Sequence, residues 1–384
     1  MPATLPPKFF ASYRSWQWIK HQILSDYLTV WARKVGSFAP SIHIVDAFAG
    51  AGHYEGDEGR RVEGSPLIEA RAARIYQKQF PSRAIDVFCI ERNPENFEKL
   101  AQAIVPFADL VQVRKGDFFK CVPEILQLIK SDPALILFDP IGLKPITADR
   151  CRPLLARSGA TDIFVVVDFQ IVHRSAGQLM PDGLPNPTYA TAAALAANID
   201  AFFSTADWRT VAVDTTLNVA QREQAYLDLY FRKVLQSRYK FRCAYPVRAR
   251  HDGPPEYWIV NASNHERAFW LMNDCIAVVD RKLMRKTLAT ADQLPGFLDA
   301  TIEAYIKDTE SALSSAVAVA LNGLDAGMTF GKLRAALLPQ FFGRVTEATY
   351  PRVVKSLVKA GMLCRQKKLV ATLGPDELIS LPPS

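Results

Sequence analysis

The chain has 384 residues, 49% hydrophobic and 22% charged, with a formal net charge of +7. That composition is ordinary for a globular protein, and the length suits two or three domains. No apolar run approaches the roughly 20 residues that span a bilayer, and the start Met1–Lys8 has no basic region followed by a long apolar stretch, so neither a membrane anchor nor a signal peptide is expected.

In chain order, residues 14–35 read as an amphipathic helix, with Ile19, Ile23, Tyr27, Leu28 and Trp31 at helical spacing and Gly36 as its stop. Apolar runs at 42–46, 86–91, 110–114, 134–139 and 162–169 read as strands. Helical patterns separate most of them, at about 66–79, 94–104, 121–130 and 149–157. This alternation predicts an α/β fold, a Rossmann-like, doubly wound, mostly parallel sheet with helices on both faces. Ser65 is placed to cap the helix that Pro66 begins, and the charged, glycine-containing stretch 53–64 reads as a mobile loop. Residues 170–240 read as an insertion or lid, helical over 221–238. Phe241–Ala249 and Glu256–Ala262 follow as two strands joined by a turn, then a helix that ends in the basic run 281–286. The expected organisation is a helical segment over 1–38, a catalytic-type domain over 39–286, a linker over 287–308 and a winged-helix domain over 309–384. The last rests on helices at 311–322, about 330–338 and about 350–360, with a basic hairpin at Leu363–Leu373.

Six scattered cysteines form no CxxC pair, and the histidines fit neither HExxH nor any zinc spacing. Reduced thiols in a cytoplasmic protein without a metal centre are expected.

Chemistry concentrates where strands end. Ile42–Val45 runs into Asp46-Ala47-Phe48-Ala49-Gly50-Ala51-Gly52, whose glycines let the backbone turn sharply beside a ligand. A dinucleotide fingerprint GxGxxG fails at Glu55, which weakens a nicotinamide-dependent oxidoreductase, and no GxxxxGK[ST] phosphate loop exists. An acid leading a loop without phosphate-cradling pieces suits a cationic cofactor, and S-adenosylmethionine fits. Glu91, at the next strand end, could accept ribose hydroxyls. Asp117 could accept the adenine amino group, with Phe118 packed near the ring. Asp139-Pro140-Ile141-Gly142 closes the apolar run 134–138 and marks where a substrate would meet the cofactor.

These residues resemble class I S-adenosylmethionine-dependent methyltransferases. Asp46–Gly52 looks like their DxFxGxG loop, and Asp139–Gly142 like a variant of the (D/N)PPY motif. More closely, the chain resembles the three-Cys-motif partner (TcmP) family. Lys20-His21 with Ile23-Leu24 and Tyr27-Leu28, Asp46–Gly52, Gly64-Ser65-Pro66-Leu67, Ile90-Glu91, Asp139–Gly142 and the terminal winged helix carry that resemblance. It implies a cofactor site of Asp46, Phe48, Gly50, Gly52, Glu91, Asp117 and Phe118, and a catalytic loop of Asp139, Pro140, Ile141 and Gly142. There the Asp139 carboxylate and the Pro140 carbonyl would accept hydrogen bonds from a target amine. Ile141 and Gly142 stand where a second proline and a base-stacking aromatic would be. The resemblance also implies a three-Cys-motif partner protein. The reaction expected is methylation of an amine on a nucleic acid or nucleotide-modified substrate. The rival is a methyltransferase-like subunit that binds nucleic acid or protein without catalysis.

Residues 311–384 hold nine Lys/Arg against four Asp/Glu. Arg352, Lys355 and Lys359 share a helix face, and Arg365, Lys367 and Lys368 crowd the hairpin. These six are the candidates for contact with DNA or RNA; a solvated protein-docking face is the alternative.

Overall fold

The computed structural model describes residues 15–55, 61–235, 238–250, 253–288, 295–324, 326–365 and 373–382. The chain divides into two compact units, one running to residue 249 and adding 253–269, the other running from 270 onward.

The first unit is built on a seven-stranded sheet. Its strands are β1 (Ser41–Asp46), β4 (Ala84–Glu91), β5 (Val111–Lys115), β6 (Ala134–Phe138), β7 (Thr161–Val167), β8 (Phe241–Arg248) and β9 (Pro255–Ser263). A short antiparallel hairpin, β2 (His53–Glu55) and β3 (Arg61–Glu63), follows β1. The order is β5-β4-β1-β6-β7-β9-β8. The five strands from β5 to β7 are parallel, and β9 pairs antiparallel with both β7 and β8. β6 and β7 are buried at every position, as central strands covered on both faces must be. From β1 the chain steps outward to β4 and β5, then crosses back to β6 and β7. The topological switch therefore lies between β1 and β6, where Asp46 pairs in register with Leu137.

The helices of this unit are α1 (Ser15–Gly36), α2 (Ser65–Gln79), α3 (Pro94–Ile104), α4 (Phe118–Ile129), α5 (Ala148–Leu155), α6 (Gln170–Ala176), α7 (Ala192–Phe203), α8 (Trp208–Val213) and α9 (Val219–Tyr230). The expected stripe of α1 is buried: Ile19, Ile23, Tyr27, Leu28 and Trp31 are all at most 1% exposed. Trp31 Nε1 and the Tyr27 hydroxyl donate to the buried Asp162 carboxylate at 2.6 and 3.2 Å. This ties α1 to the start of β7 and satisfies a carboxylate that burial would otherwise penalise. Among the described residues no helix is long and apolar enough to cross a membrane.

Three expectations for this unit need correction. The stretch 53–64 is not simply a loop, since His53–Glu55 pairs with Arg61–Glu63 around residues 56–60, which lie outside the described residues. Ser65 does not cap α2: Gly64 holds the cap position without a side-chain bond, and Ser65 Oγ turns to Asp46. Residues 170–240 are not a lid. Phe202, Phe203, Trp208, Tyr226, Leu227 and Tyr230 are buried in the same core as β6 and β7. The pattern was hard to read because four short helices and a π-turn (Phe231–Leu235) share the stretch.

The second unit holds most of α10 (Glu266–Leu288), then α11 (Pro295–Leu321), α12 (Phe330–Phe341) and α13 (Thr349–Lys359). A small antiparallel sheet of β10 (Met328–Thr329), β12 (Leu378–Ser380) and β11 (Cys364–Arg365) completes it. The expected linker 287–308 is helical from Pro295, because Ile302, Thr309, Leu313, Val317 and Leu321 form one buried stripe through α11. The expected boundary at 286 also moves, since α10 joins this unit through buried Asn273. Its side chain donates to Val345 O and accepts from Gly343 N, both at 2.9 Å. The hairpin expected over Leu363–Leu373 is described only at its first strand, which pairs instead with Leu378–Ser380; residues 366–372 lie outside the described residues.

Gly52 has φ +79°, and a Cβ there would come within 3.2 Å of both Ala103 Cβ and Leu100 Cδ1. Gly52→Ala combines a left-handed backbone with a close approach, so it should lower the unfolding free energy by about 2 kcal/mol. Urea denaturation checks this; an unchanged midpoint would mean that the loop relaxes freely.

Candidate functional site at the switch point

Each of the five parallel strands ends in a carboxylate on one edge: Asp46 on β1, Glu91 on β4, Asp117 just beyond β5, Asp139 after β6 and Asp168 after β7. Two of the five have a cation against them, Lys20 on Asp139 and Arg150 on Asp117. An edge with this excess of negative charge and acceptor oxygens favours a ligand that is cationic or rich in N–H and O–H donors.

At the switch point itself, Asp46 is fully buried. Its carboxylate accepts from Phe48 N at 3.0 Å and from Ser65 Oγ at 2.7 Å. Asp46 thus shapes the loop from within, and the ligand-facing atoms are those of the loop it shapes. Gly50 and Gly52 take φ +67° and +79°, which bends the chain back so that Gly64 N donates to Gly52 O at 2.8 Å. Glu91 is only partly buried and accepts from Gly50 N at 2.8 Å and Asn93 N at 2.5 Å. That fixes its carboxylate beside the glycine loop with lone pairs left for a further donor. Phe48 packs against the Phe118 ring at 6.3 Å.

Burial, helped slightly by the Asp139 charge and opposed by the hydrogen bonds from Ser65 and Phe48 and by Lys20, raises the Asp46 carboxyl to about 7 from an ordinary 3.8. Between those values the folded chain binds more protons than the unfolded one, so stability falls as pH rises from about 4 to 7 and is level above that. At ~1.4 kcal/mol per unit, the cost above pH 7 is about 4 kcal/mol. Asp46→Asn keeps an acceptor for Phe48 N and removes that cost. It should exceed the natural chain in urea midpoint above pH 7 and lose this part of the pH slope; an identical slope in both proteins would refute the assignment.

Asp117 caps α4, accepting from Phe119 N at 2.9 Å, and both its oxygens accept from Arg150 at 2.7 and 2.9 Å. Burial would raise its carboxyl, but Arg150 and the cap hold it below the ordinary range. Phe118 is buried in the core against Phe138 and Phe48. Its neighbour Phe119 reaches the surface instead and lies under the Arg150 guanidinium at 4.3 Å. Together with Val122, Pro123, Leu126 and Pro153 it lines a cleft of about 520 Å³ between α4 and α5. The partly exposed ring at this strand end is thus Phe119, one residue along from the expected Phe118.

At β6, Lys20 reaches from α1 to hydrogen-bond and ion-pair with Asp139. The ammonium is almost wholly buried and the carboxylate side chain is 21% exposed. Burial works against the Lys20 charge, yet Asp139, Tyr54 and Asp46 outweigh it and raise its pKa. The loop turns through Gly142 at φ +80°, where a Cβ would lie 3.6 Å from Ile171 on α6; Ile141 is half exposed. His21 beside it is buried, with its ring centroid 5.6 Å from that of Tyr54, and burial holds its pKa well below the ordinary range.

Sequence reading thus placed Asp46, Gly50, Gly52, Glu91, Asp117 and Asp139–Gly142 along one edge, and the structure brings them there. It did not assign Lys20, Asp168 or Glu69. Glu69 is fully buried on α2, 3.8 Å from Cys89 Sγ, and burial together with Asp46 pushes its carboxyl well above the ordinary range. A lysine beside the buried stripe of α1, and an aspartate closing the run 161–167, were the available signals.

In the second unit the candidate cations are partly spent. Arg352 pairs with Glu310, and Arg365 pairs with buried Glu377. Lys355 and Lys359 lie on α13, and Lys355 is exposed. Lys367 and Lys368 lie outside the described residues.

No known protein-family model matches the chain. No curated protein matches it either. Similar solved structures include a Legionella pneumophila protein of family-model DUF519, with TM-score 0.37 and 14% identity over 65% of this chain and 85% of that one. Another is the O-methyltransferase TomG from Streptomyces achromogenes in complex with S-adenosylmethionine, with TM-score 0.32 and 12% identity over 63% and 79%. A third is a dimethyladenosine transferase from Plasmodium falciparum, with TM-score 0.27 and 12% identity over 87% and 95%. Likenesses at these scores decide nothing about the chain, and the fold assignment rests on its own strand order and register.

Proposed function

We propose that the chain is an S-adenosylmethionine-dependent methyltransferase of the three-Cys-motif partner type, acting in the cytoplasm on an amine nitrogen of a nucleic acid or nucleotide-modified substrate. The observation that carries this reading is the pairing of two loops across the topological switch point. Asp46–Gly52 closes β1 with two left-handed glycines, and Asp139–Gly142 closes the adjacent β6. The residues fit the cofactor. A Cβ on Gly50 would meet Tyr54 Oη at 4.0 Å as its near neighbour, so the loop face is open to a ligand. Glu91 presents a fixed, partly exposed carboxylate suited to ribose hydroxyls. The edge carries the negative charge that an ammonium and a sulfonium require.

When bound, the cofactor supplies an electrophilic methyl group on its sulfonium. The chain's own contribution is positioning. Asp139 and the Pro140 carbonyl would accept hydrogen bonds from the acceptor's N–H groups, aiming its lone pair along the S–CH3 axis. Lys20 holds the Asp139 carboxylate in place. Exposed Ile141 offers the acceptor an apolar contact where related loops carry an aromatic. Asp117, held by Arg150, and Phe119 would border the adenine.

The second unit is read as a winged helix that docks the three-Cys-motif partner protein. Internal pairing of Arg352 and Arg365 favours this over nucleic-acid contact, which would leave them free for phosphates. A non-enzymatic subunit is the second reading, and the occupancy of Asp139 by Lys20 favours it. Mass spectrometry of nucleic acid and protein from cells with and without the chain separates the two. The methyltransferase reading expects one methyl mark that disappears without the chain. An unchanged set of marks, with methylation intact under every growth condition tried, would support the non-catalytic subunit.

A further inference from the structure

One side chain engages both groups proposed to border the adenine. Arg150, in the first turn of α5, directs Nη2 to both oxygens of Asp117, at 2.7 and 2.9 Å. Its guanidinium also lies over the Phe119 ring at 4.3 Å. Two further sides of that ring face the core: Phe118 meets it edge-on at 5.0 Å, and Phe138 lies nearly parallel to it at 6.5 Å. Arg150 and Phe119 together line the cleft between α4 and α5, whose volume of about 520 Å³ is that of a small-molecule site. Val122, Pro123 and Pro153 give it apolar walls, which suit a flat ring.

An adenine asks for the same two contacts. Its amino group donates N–H in the plane of the ring, as a guanidinium does, and its face stacks on an aromatic side chain. Asp117 has little left to offer beside Arg150. Oδ1 accepts from Phe119 N and from Arg150, and Oδ2 accepts from Arg150. These three bonds use most of the roughly four lone-pair sites of a carboxylate. The Arg150 contacts are nevertheless exchangeable. Its side chain is 37% exposed and that of Asp117 is 26% exposed. A pair so open to water contributes little to stability. The other Arg150 hydrogen bond, to Pro145 O, is 3.3 Å long.

We propose that Arg150 competes with the cofactor's adenine for Asp117 and the Phe119 ring, and swings off both when the adenine binds. This rests on the methyltransferase reading. Arg150 thereby sets the affinity for the cofactor, and the freed Asp117 reads the base. An amino purine donates to that carboxylate, whereas an oxo purine presents a carbonyl that it repels. The rival arrangement keeps Arg150 in place as a strut for Asp117 or a platform under the base, and it predicts the opposite sign on removing the side chain.

Calorimetric titration of the full-length chain with S-adenosylhomocysteine tests this, with S-inosylhomocysteine, which carries a carbonyl in place of the amino group, as the second probe. Arg150→Ala removes the competitor, while Phe119 N still fixes Asp117. It should bind S-adenosylhomocysteine about 5-fold more tightly than the natural chain does. The gain for S-inosylhomocysteine should be smaller, which separates release of Asp117 from a general change of charge. Arg150→Gln keeps a planar donor without the charge and should fall between the two. Urea midpoints of both variants should stay near that of the natural chain, because the pair they break is exposed. Binding by the natural chain with no gain, or a loss, in both variants would overturn the competition and leave the methyltransferase reading standing. An equal gain for the two purines would also overturn it. No binding by any of the three proteins would remove the methyltransferase reading and the competition with it.

Discussion

Asp139→Ala should remove the methyl mark and cost the fold about 3 kcal/mol, and Lys20→Met added to it should return the stability alone. The stability effect follows from burial. Lys20 lies among buried residues of α1 with its ammonium held by Asp139. Truncating the carboxylate strands that charge where water reaches it poorly, whereas removing both partners leaves apolar surface. The value belongs at the lower end of such losses because Asp139 is itself partly exposed. The chemical effect follows from positioning: without the carboxylate the acceptor loses a hydrogen bond that aims its lone pair, a loss of ~100-fold or more in rate. Urea midpoints of both single variants and the double variant test the first part. If Asp139→Ala is as stable as the natural chain, the pair is not a buried ion pair in solution. The methyl mark in cells carrying each variant tests the second; its survival in Asp139→Ala would remove Asp139 from the reaction.

Asp46→Ala should weaken S-adenosylhomocysteine by ~100-fold through the loss of two charge-assisted hydrogen bonds that hold the glycine loop. Phe48 N and Ser65 Oγ both rely on this carboxylate. Asp46→Asn should lose much less, because its amide can accept from Phe48 N and donate to Ser65 Oγ. Calorimetric affinities for the two variants decide the matter. Equal weakening would show that the charge acts on the ligand directly; unweakened binding in Asp46→Ala would show that the loop holds itself.

Much of the frame was legible because it depends on patterns that burial imposes. The run Ala134–Phe138 is apolar on both faces, as a central parallel strand must be, and the stripe from Ile19 to Trp31 repeats at helical spacing. Asp46, Glu91 and Asp139 could be located because each ends a mostly apolar run. What the side chains do there was not legible. Asp46 turns inward to Ser65, and Ser65 therefore abandons the cap that its position before Pro66 suggested. Asp117 meets Arg150 from 33 residues further on, and Asp139 meets Lys20 from 119 residues earlier. Contacts of that separation leave no local periodicity. Residues 170–240 misled for a different reason. Their helices are short, and they bury aromatics rather than a regular aliphatic stripe.

Titration calorimetry of the purified full-length chain with S-adenosylhomocysteine is the most direct measurement. Saturable binding of one equivalent, abolished or strongly weakened by Asp46→Ala and retained by Asp139→Asn, is the result predicted. No heat from the natural chain, in a buffer where a reference methyltransferase binds the same ligand, would contradict a cofactor site at the switch point.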